Sequence, residues 1–306
     1  MTGEFPSLEN LRIGFFPMSI INFRAPNLRN LKLLGDFDFD LEIILDVLES
    51  SPLLETLGLD FREEVSVIST GRMVRLEKVK QADFSWNGFK ILQHLLLPTS
   101  KDIVINIEPR LDRLLGTMVA CAPLLSQALD SLPPLRQVQS VSFHPEGLMK
   151  RSAFIEGPHG TVELLTNTDP ATFVTILRVF TERSTESIQE LKLSKVDSPY
   201  ICLARDIFKS SGNLRSVYVH GPCISECFFL VGTSHCLQLE ELTARDPDYV
   251  ALEFFVQRRS KAGIPIQRLV LESHPNTQVD METVERLRKY VGDVRGSWLF
   301  EVMHVL

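Results

Sequence analysis

The chain has 306 residues, 44% of them hydrophobic and 23% charged, with a net charge of −7 and a pI near 5.6. The apolar share excludes a disordered polypeptide, and the acidic balance argues against a nucleic-acid partner. Five thinly spread cysteines, no secretory-signal pattern at the start and no apolar run near the roughly 18 residues of a membrane span argue against secretion and a membrane partner, and predict an intracellular protein, cytoplasmic or nuclear.

Leucine supplies 44 residues, and the leucines recur in a pattern. Pro6-x-Leu8-x-x-Leu11-x-Ile13 returns as Pro26-x-Leu28-x-x-Leu31-x-Leu33 and again as Pro52-x-Leu54-x-x-Leu57-x-Leu59. Each copy predicts a short strand whose alternate side chains enter the core. Between copies the period changes: Leu41, Ile44, Leu45 and Leu48 fall at helical spacing behind Asp40, a suitable N-cap. Residues 74–79 then read as a degenerate strand and 91–95 as part of a helix. Residues 103–107 read as a β-branched strand, 111–129 as a longer helix, and Val138, Val141 and Phe143 as a further strand. Residues 144–169 are irregular, with Pro145, Gly147, Gly157-Pro158 and Gly160 around β-like pieces at 153–155 and 162–165. They predict a hairpin insertion or a distorted repeat.

In the second half, Phe173, Ile176, Leu177 and Phe180 predict a helix behind Asp169-Pro170. The strand pattern resumes at Ile188, Leu214, Leu239 and Ile266, at intervals of 26, 25 and 27 residues. Leu252, Phe255 and Val256 predict one further helix, and Val284, Leu287 and Val291 another. The expected fold is α/β, a single leucine-rich-repeat solenoid over residues 1–306 of roughly 10–12 units, strands in a curved parallel sheet on the concave face and helices on the convex face. Repetition follows from energetics: the apolar surface one unit can bury does not offset the entropy of ordering its backbone, so units must stack.

These strands, the Ser50-Ser51-Pro52 and Ser210-Ser211-Gly212-Asn213 lead-ins, and Ile91-Leu92-Gln93-His94-Leu95-Leu96-Leu97-Pro98 before a β-rich stretch carry a resemblance. Over nearly its whole length the chain is similar to the leucine-rich-repeat portion of F-box proteins of mushroom-forming, basidiomycete-type fungi, with a ribonuclease-inhibitor-like repeat architecture. The resemblance implies a protein-binding module, the substrate-recruiting surface of a cullin–RING ubiquitin ligase. Such proteins carry an F-box ahead of the repeats, and none is visible here, where the first repeat strand begins at Phe5-Pro6. A Skp-type adaptor is therefore expected as a partner only if an F-box lies upstream. The alternatives are a free-standing repeat scaffold or inhibitor-like binding protein, and an enzyme with an unrecognised site near His144.

Other motifs point to bland roles. His220, Cys223, Cys227, His235 and Cys236 have zinc-binding atoms but not the paired spacing of a tetrahedral site, so buried small side chains are expected. Asp36-Phe37-Asp38-Phe39-Asp40 opens like a calcium loop, but Leu41 and Val47 stand where glycine and glutamate are needed, so a turn into a helix is expected. Gly157-Pro158-His159-Gly160 lacks the Lys-Ser/Thr of a phosphate loop and predicts a turn. No metal, cofactor or catalytic residue is expected. Between Asp36 and Glu64 ten carboxylates face Arg62 alone, which predicts a solvated acidic helix face or a docking place for a basic partner.

Strand alternation selects the side chains opposite the core. On that face Arg12, Lys32, Asp60, Glu190, Lys192, Tyr218, His220, Glu241, Arg245, Arg268 and Glu272 are the candidate protein-binding residues, with Tyr218 and the arginines suited to anchor a partner.

Overall fold

The structure, a computed structural model, describes residues 2–14, 22–35, 40–61, 71–107, 132, 135, 137–146, 150–166, 173–174, 177–178, 181, 185–194, 198–221, 236–273 and 281–296. It is a mixed α/β chain with mostly parallel strands. Its residues divide into two compact units, one of residues 1–137 with 154–168, the other of 138–153 with 169–306.

The first unit contains β1 (Thr2–Glu4), β2 (Asn10–Gly14), β3 (Asn22–Arg24), β4 (Asn30–Gly35), α1 (Leu41–Glu49) and β5 (Thr56–Phe61). It continues with β6 (Val74–Arg75), β7 (Gln81–Ser85), α2 (Trp86–Phe89), a 3₁₀ turn (Lys90–His94), β8 (Leu95–Leu96) and β9 (Asp102–Ile107). Strands β2, β4, β5, β7 and β9 lie side by side in sequence order, each parallel to the next. β1 pairs with β3, and β6 with β8, as short separate ladders.

Strands β4, β5, β7 and β9 start from the same local device. A turn delivers a buried residue two positions before the strand: Leu28, Leu54, Val79 and Ser100 ahead of β4, β5, β7 and β9. The carbonyl between that residue and the strand accepts two amides from the following repeat. Glu9 takes Arg29 N and Asn30 N; Arg29 takes Glu55 N and Thr56 N; Glu55 takes Lys80 N and Gln81 N. These shared acceptors pin the register before the strands begin, so Leu31, Leu57, Ala82 and Ile103 stack in one core row. The expected strand at 74–79 is thereby corrected: Val79 is the lead-in, the main strand is Gln81–Ser85, and only Val74–Arg75 pairs, with β8. Residues 90–94 form a 3₁₀ turn in place of the expected helix, with Ile91 and Leu92 buried.

α1 realises its spacing. Asp40 accepts from Glu42 N, and Leu41, Ile44, Leu45, Val47 and Leu48 are buried. Ser51 then donates to Val47 O, turning the chain into the next lead-in.

Three strands follow: β10 (Ser140–Glu146), β11 (Lys150–Gly157) and β12 (Gly160–Thr166). β11 and β12 are neighbours joined through Pro158-His159, which matches the hairpin of the two alternatives that the sequence leaves open here, and β12 returns to lie parallel to β9.

The second unit places β13 (Glu190–Ser194), β14 (Ser216–His220), β15 (Glu241–Arg245), β16 (Arg268–Glu272) and β17 (Asp293–Gly296) in order from β10, all parallel. The lead-ins are Val138, Ile188, Leu214, Leu239, Ile266 and Val291, and Gln139, Gln189, Arg215 and Glu240 repeat the doubly accepting carbonyl. Between strands stand α3 (Ser198–Ser210), α4 (Tyr249–Lys261) and α5 (Met281–Arg288). Helical spacing anticipates α4 and α5 but misplaces Val291, which leads into β17. α3 is new relative to the sequence reading, although Tyr200, Ile201, Ala204, Ile207 and Phe208 bury a helical stripe. Asp248 caps α4 by accepting from Val250 N and Ala251 N; Gly263, at φ +77°, ends it with Ile264 N donating to Arg259 O and Gly263 N to Ser260 O. The expected helix at 111–129 lies outside the described residues. Of the one after Asp169-Pro170, only Phe173–Val174, Leu177–Arg178 and Thr181 are described, as helical.

Candidate recognition face

In the first unit Arg12, Lys32, Gly58, Asp83, Val104 and Glu163 are successive register partners on the face opposite the core. Arg12 is exposed, and Lys32 reaches across β5 to Asp83 at 3.6 Å. Gly58 opens that path, because a Cβ there would stand 3.1 Å from Lys32 Cγ. Asp60 is exposed one row further along β5. At the strand entrances Glu55 joins Arg29 and Lys80, and the hydrogen bond from Lys80, then that from Arg29, holds its carboxyl below the usual range.

The acidic window acquires a partner from outside it. Arg72 lies along α1 with its guanidinium on Glu42 and Asp46, both at 2.8 Å, and on Glu49. Residues three and four apart share a helix face, so one planar cation spans all three carboxylates. Their hydrogen bonds raise its pKa further above its already high ordinary value, led by Asp46.

The second unit gathers the other candidates. One row runs Glu190, Ser216, Glu241, Arg268, Asp293; the next runs Lys192, Tyr218, Thr243, Val270, Arg295; the last runs Ser194, His220, Arg245, Glu272. Charges pair within the face: Lys192 with Glu190 at 3.0 Å, Arg268 with Glu241 at 2.8 Å, Arg295 with Asp293 at 2.6 Å. Tyr218 donates to Glu272 Oε2 at 3.5 Å and also bonds Arg245. Burial pushes the Tyr218 hydroxyl pKa up, and the bond with Arg245 opposes this. His220 contacts Ser194 Oγ through Nδ1 at 3.3 Å and Asp246 Oδ2 through Nε2 at 3.7 Å. These last contacts sit at the carboxyl ends of parallel strands, where α/β sheets commonly place ligands.

Three contributors escape the sequence reading. Asp246 follows β15, where alternation would send its side chain to the core; it instead adopts φ +50° and lies on the polar side beside His220. Asp293 and Arg295 lie on β17, which the repeat interval could have found, since Val291 stands 25 residues beyond Ile266.

Other motifs resolve simply. Asp40 is a helix cap, while residues 36–39 lie outside the described set, as do Cys223, Cys227 and His235. Cys236 is buried, donates to Phe208 O at 3.3 Å, and burial pushes its thiol pKa up to about 12. Arg258 stacks on Phe254, while Arg259 is buried with a guanidinium bond to Cys236 O. Among the described residues no group of three His, Cys, Asp or Glu side chains is placed to hold a metal ion. Among them, too, no helix is long and apolar enough to cross a membrane. No protein-family model and no curated protein sequence matches the chain.

Proposed function

We propose that the chain is a leucine-rich-repeat protein-recognition module and that the polar strand face of its second unit is the contact surface. The carrying observation is Tyr218: half-buried, fixed between Arg245 and Glu272, on a face that also carries the ion pairs Lys192–Glu190 and Arg268–Glu241. A rigid aromatic beside an arginine loses little entropy on binding, which is why such pairs dominate interface energetics. The repeat spacing and the ordered parallel strands support the leucine-rich-repeat architecture. By resemblance, the bound protein is a substrate delivered to a ubiquitin ligase.

Replacing Tyr218 and Arg245 together by alanine tests the reading. The full chain is expected to capture a protein partner from a lysate, and the double variant to bind it at least about thirtyfold more weakly, the equivalent of about 2 kcal/mol, with its melting temperature little changed. Equal binding by both chains would overturn the assignment of this face. Co-purification of a Skp-type adaptor supports the ligase reading; capture of a partner without one makes the chain a free-standing scaffold.

A further inference from the structure

We propose that Ser194 is a reactive nucleophile, activated by His220, with Asp246 as the positioning residue. The three come from three segments: Ser194 ends β13, His220 ends β14 and Asp246 follows β15. Ser194 and His220 are register partners, so their side chains share one face by construction. Asp246 joins them only through its left-handed backbone, an unfavourable conformation for a residue with a side chain, held in place by Asp246 N donating to Glu272 O at 2.8 Å. The ring bridges the other two, with Ser194 Oγ 3.3 Å from Nδ1 and Asp246 Oδ2 3.7 Å from Nε2. A carboxylate at Nε2 favours the tautomer with the proton there, in which Nδ1, the nitrogen facing Ser194 Oγ, is the basic one. A nucleophile, a base and a group that orients the base thus stand in sequence, at the looser spacing usual before a substrate binds. The His220 side chain is 13% exposed and that of Asp246 36%, so the base is largely shielded while the site stays open on one side.

The chemistry that fits is transfer of an acyl group from a small ester or thioester. Ser194 Oγ forms the new C–O bond as its proton passes to Nδ1. That proton then leaves with the departing alcohol or thiol as the old acyl bond breaks. Water repeats the sequence, giving its proton to Nδ1, releasing the acid and returning the proton to Ser194. No redox partner is required.

A fluorophosphonate probe on the full chain tests this, read by intact mass and peptide mapping. A single adduct is expected on Ser194, lost in Ser194→Ala and slowed about 100-fold or more in His220→Gln. In the unaltered chain the labelling rate should rise with pH through a single inflection, because only a neutral imidazole can take the serine proton. Asp246→Asn should move that inflection to lower pH, a shift that a merely structural role would not produce. p-Nitrophenyl acetate hydrolysis should follow the same order among the variants. No adduct on Ser194, or a labelling rate independent of pH, would overturn the proposal, and the pH profile decides it even if the histidine variant fails to fold. Neither result bears on partner capture through Tyr218 and Arg245.

Discussion

At the scale of single residues, backbone freedom and side-chain reach decide what each position tolerates. Gly160 opens β12 at φ +139°, and a Cβ there would lie 2.0 Å from Lys101 O, the carbonyl that also accepts from Thr161 N. Gly263 has φ +77° with open space around its α-carbon. Gly263→Ala should therefore lower stability by about 1–2 kcal/mol, the left-handed penalty alone. Gly160→Ala adds a backbone collision to a comparable strain and should lose more, about 3 kcal/mol or above. Urea unfolding of the two variants checks the order, and equal losses would mean that the strand-entry contact yields. The candidate site is legible to the same degree as this geometry. Arg12, Lys32, Glu190, Tyr218 and Glu272 follow from alternation because each sits inside a regular strand. Asp246 does not, because a left-handed residue breaks the alternation and composition carries no sign of it.

At the scale of elements, the strands were legible wherever the lead-in and the two following core positions are all aliphatic, as in β4, β5, β13 and β16. β7 was hidden because Ala82 and Phe84 replace the expected leucines, while nearby Val74 and Leu76 imitate the motif. The stripe of α3, by contrast, keeps helical spacing without a break from Tyr200 and Ile201 through Ala204 to Ile207 and Phe208, with Pro199 in the first turn, so this helix was legible in the sequence. The acidic helix shows another limit: the sequence window exposes the carboxylates on α1, but its neutralising cation comes from beyond β5. Arg72 should therefore hold α1 electrostatically. Arg72→Met should destabilise the first unit by about 1 kcal/mol in low salt, since the pairs are partly exposed. The loss should shrink in about 1 M salt, where screening reaches only about 3 Å. Melting curves of both chains at the two salt concentrations measure it; a loss independent of salt would assign Arg72 a packing role instead.

Beyond single pairs, the register of the first unit lines up the charged residues Glu9, Arg29, Glu55 and Lys80 at successive strand entrances, so at the scale of the whole molecule pH acts on the stack as well as on single pairs. The carbonyls of Glu9, Arg29 and Glu55 fix where one strand starts against the next, and on the outside the Glu55 side chain ties Arg29 to Lys80 across the same boundaries. The folded chain holds the Glu55 carboxyl below its ordinary value of 4.5, so folding favours the ionised form. Its stabilisation is fully present above about pH 4.5 and disappears as the pH falls through the lower folded value. Over the same interval the net charge of −7 reverses, until 32 lysines and arginines and 7 histidines stand against neutral carboxyls. Stability should thus decline on acidification from two sources, one local and one global, and Glu55→Gln separates them. The variant keeps a side chain of the same size but has no proton to gain. Its melting temperature should lie below that of the unaltered chain at pH 7, and the two should converge as the pH drops below 4.5, while the global decline persists in both. Added salt should then raise both melting temperatures near pH 3 by screening the excess positive charge. Parallel curves, with no convergence, would show that the Arg29–Glu55–Lys80 ladder does not hold in solution and that the strand entrances rely on their backbone bonds alone.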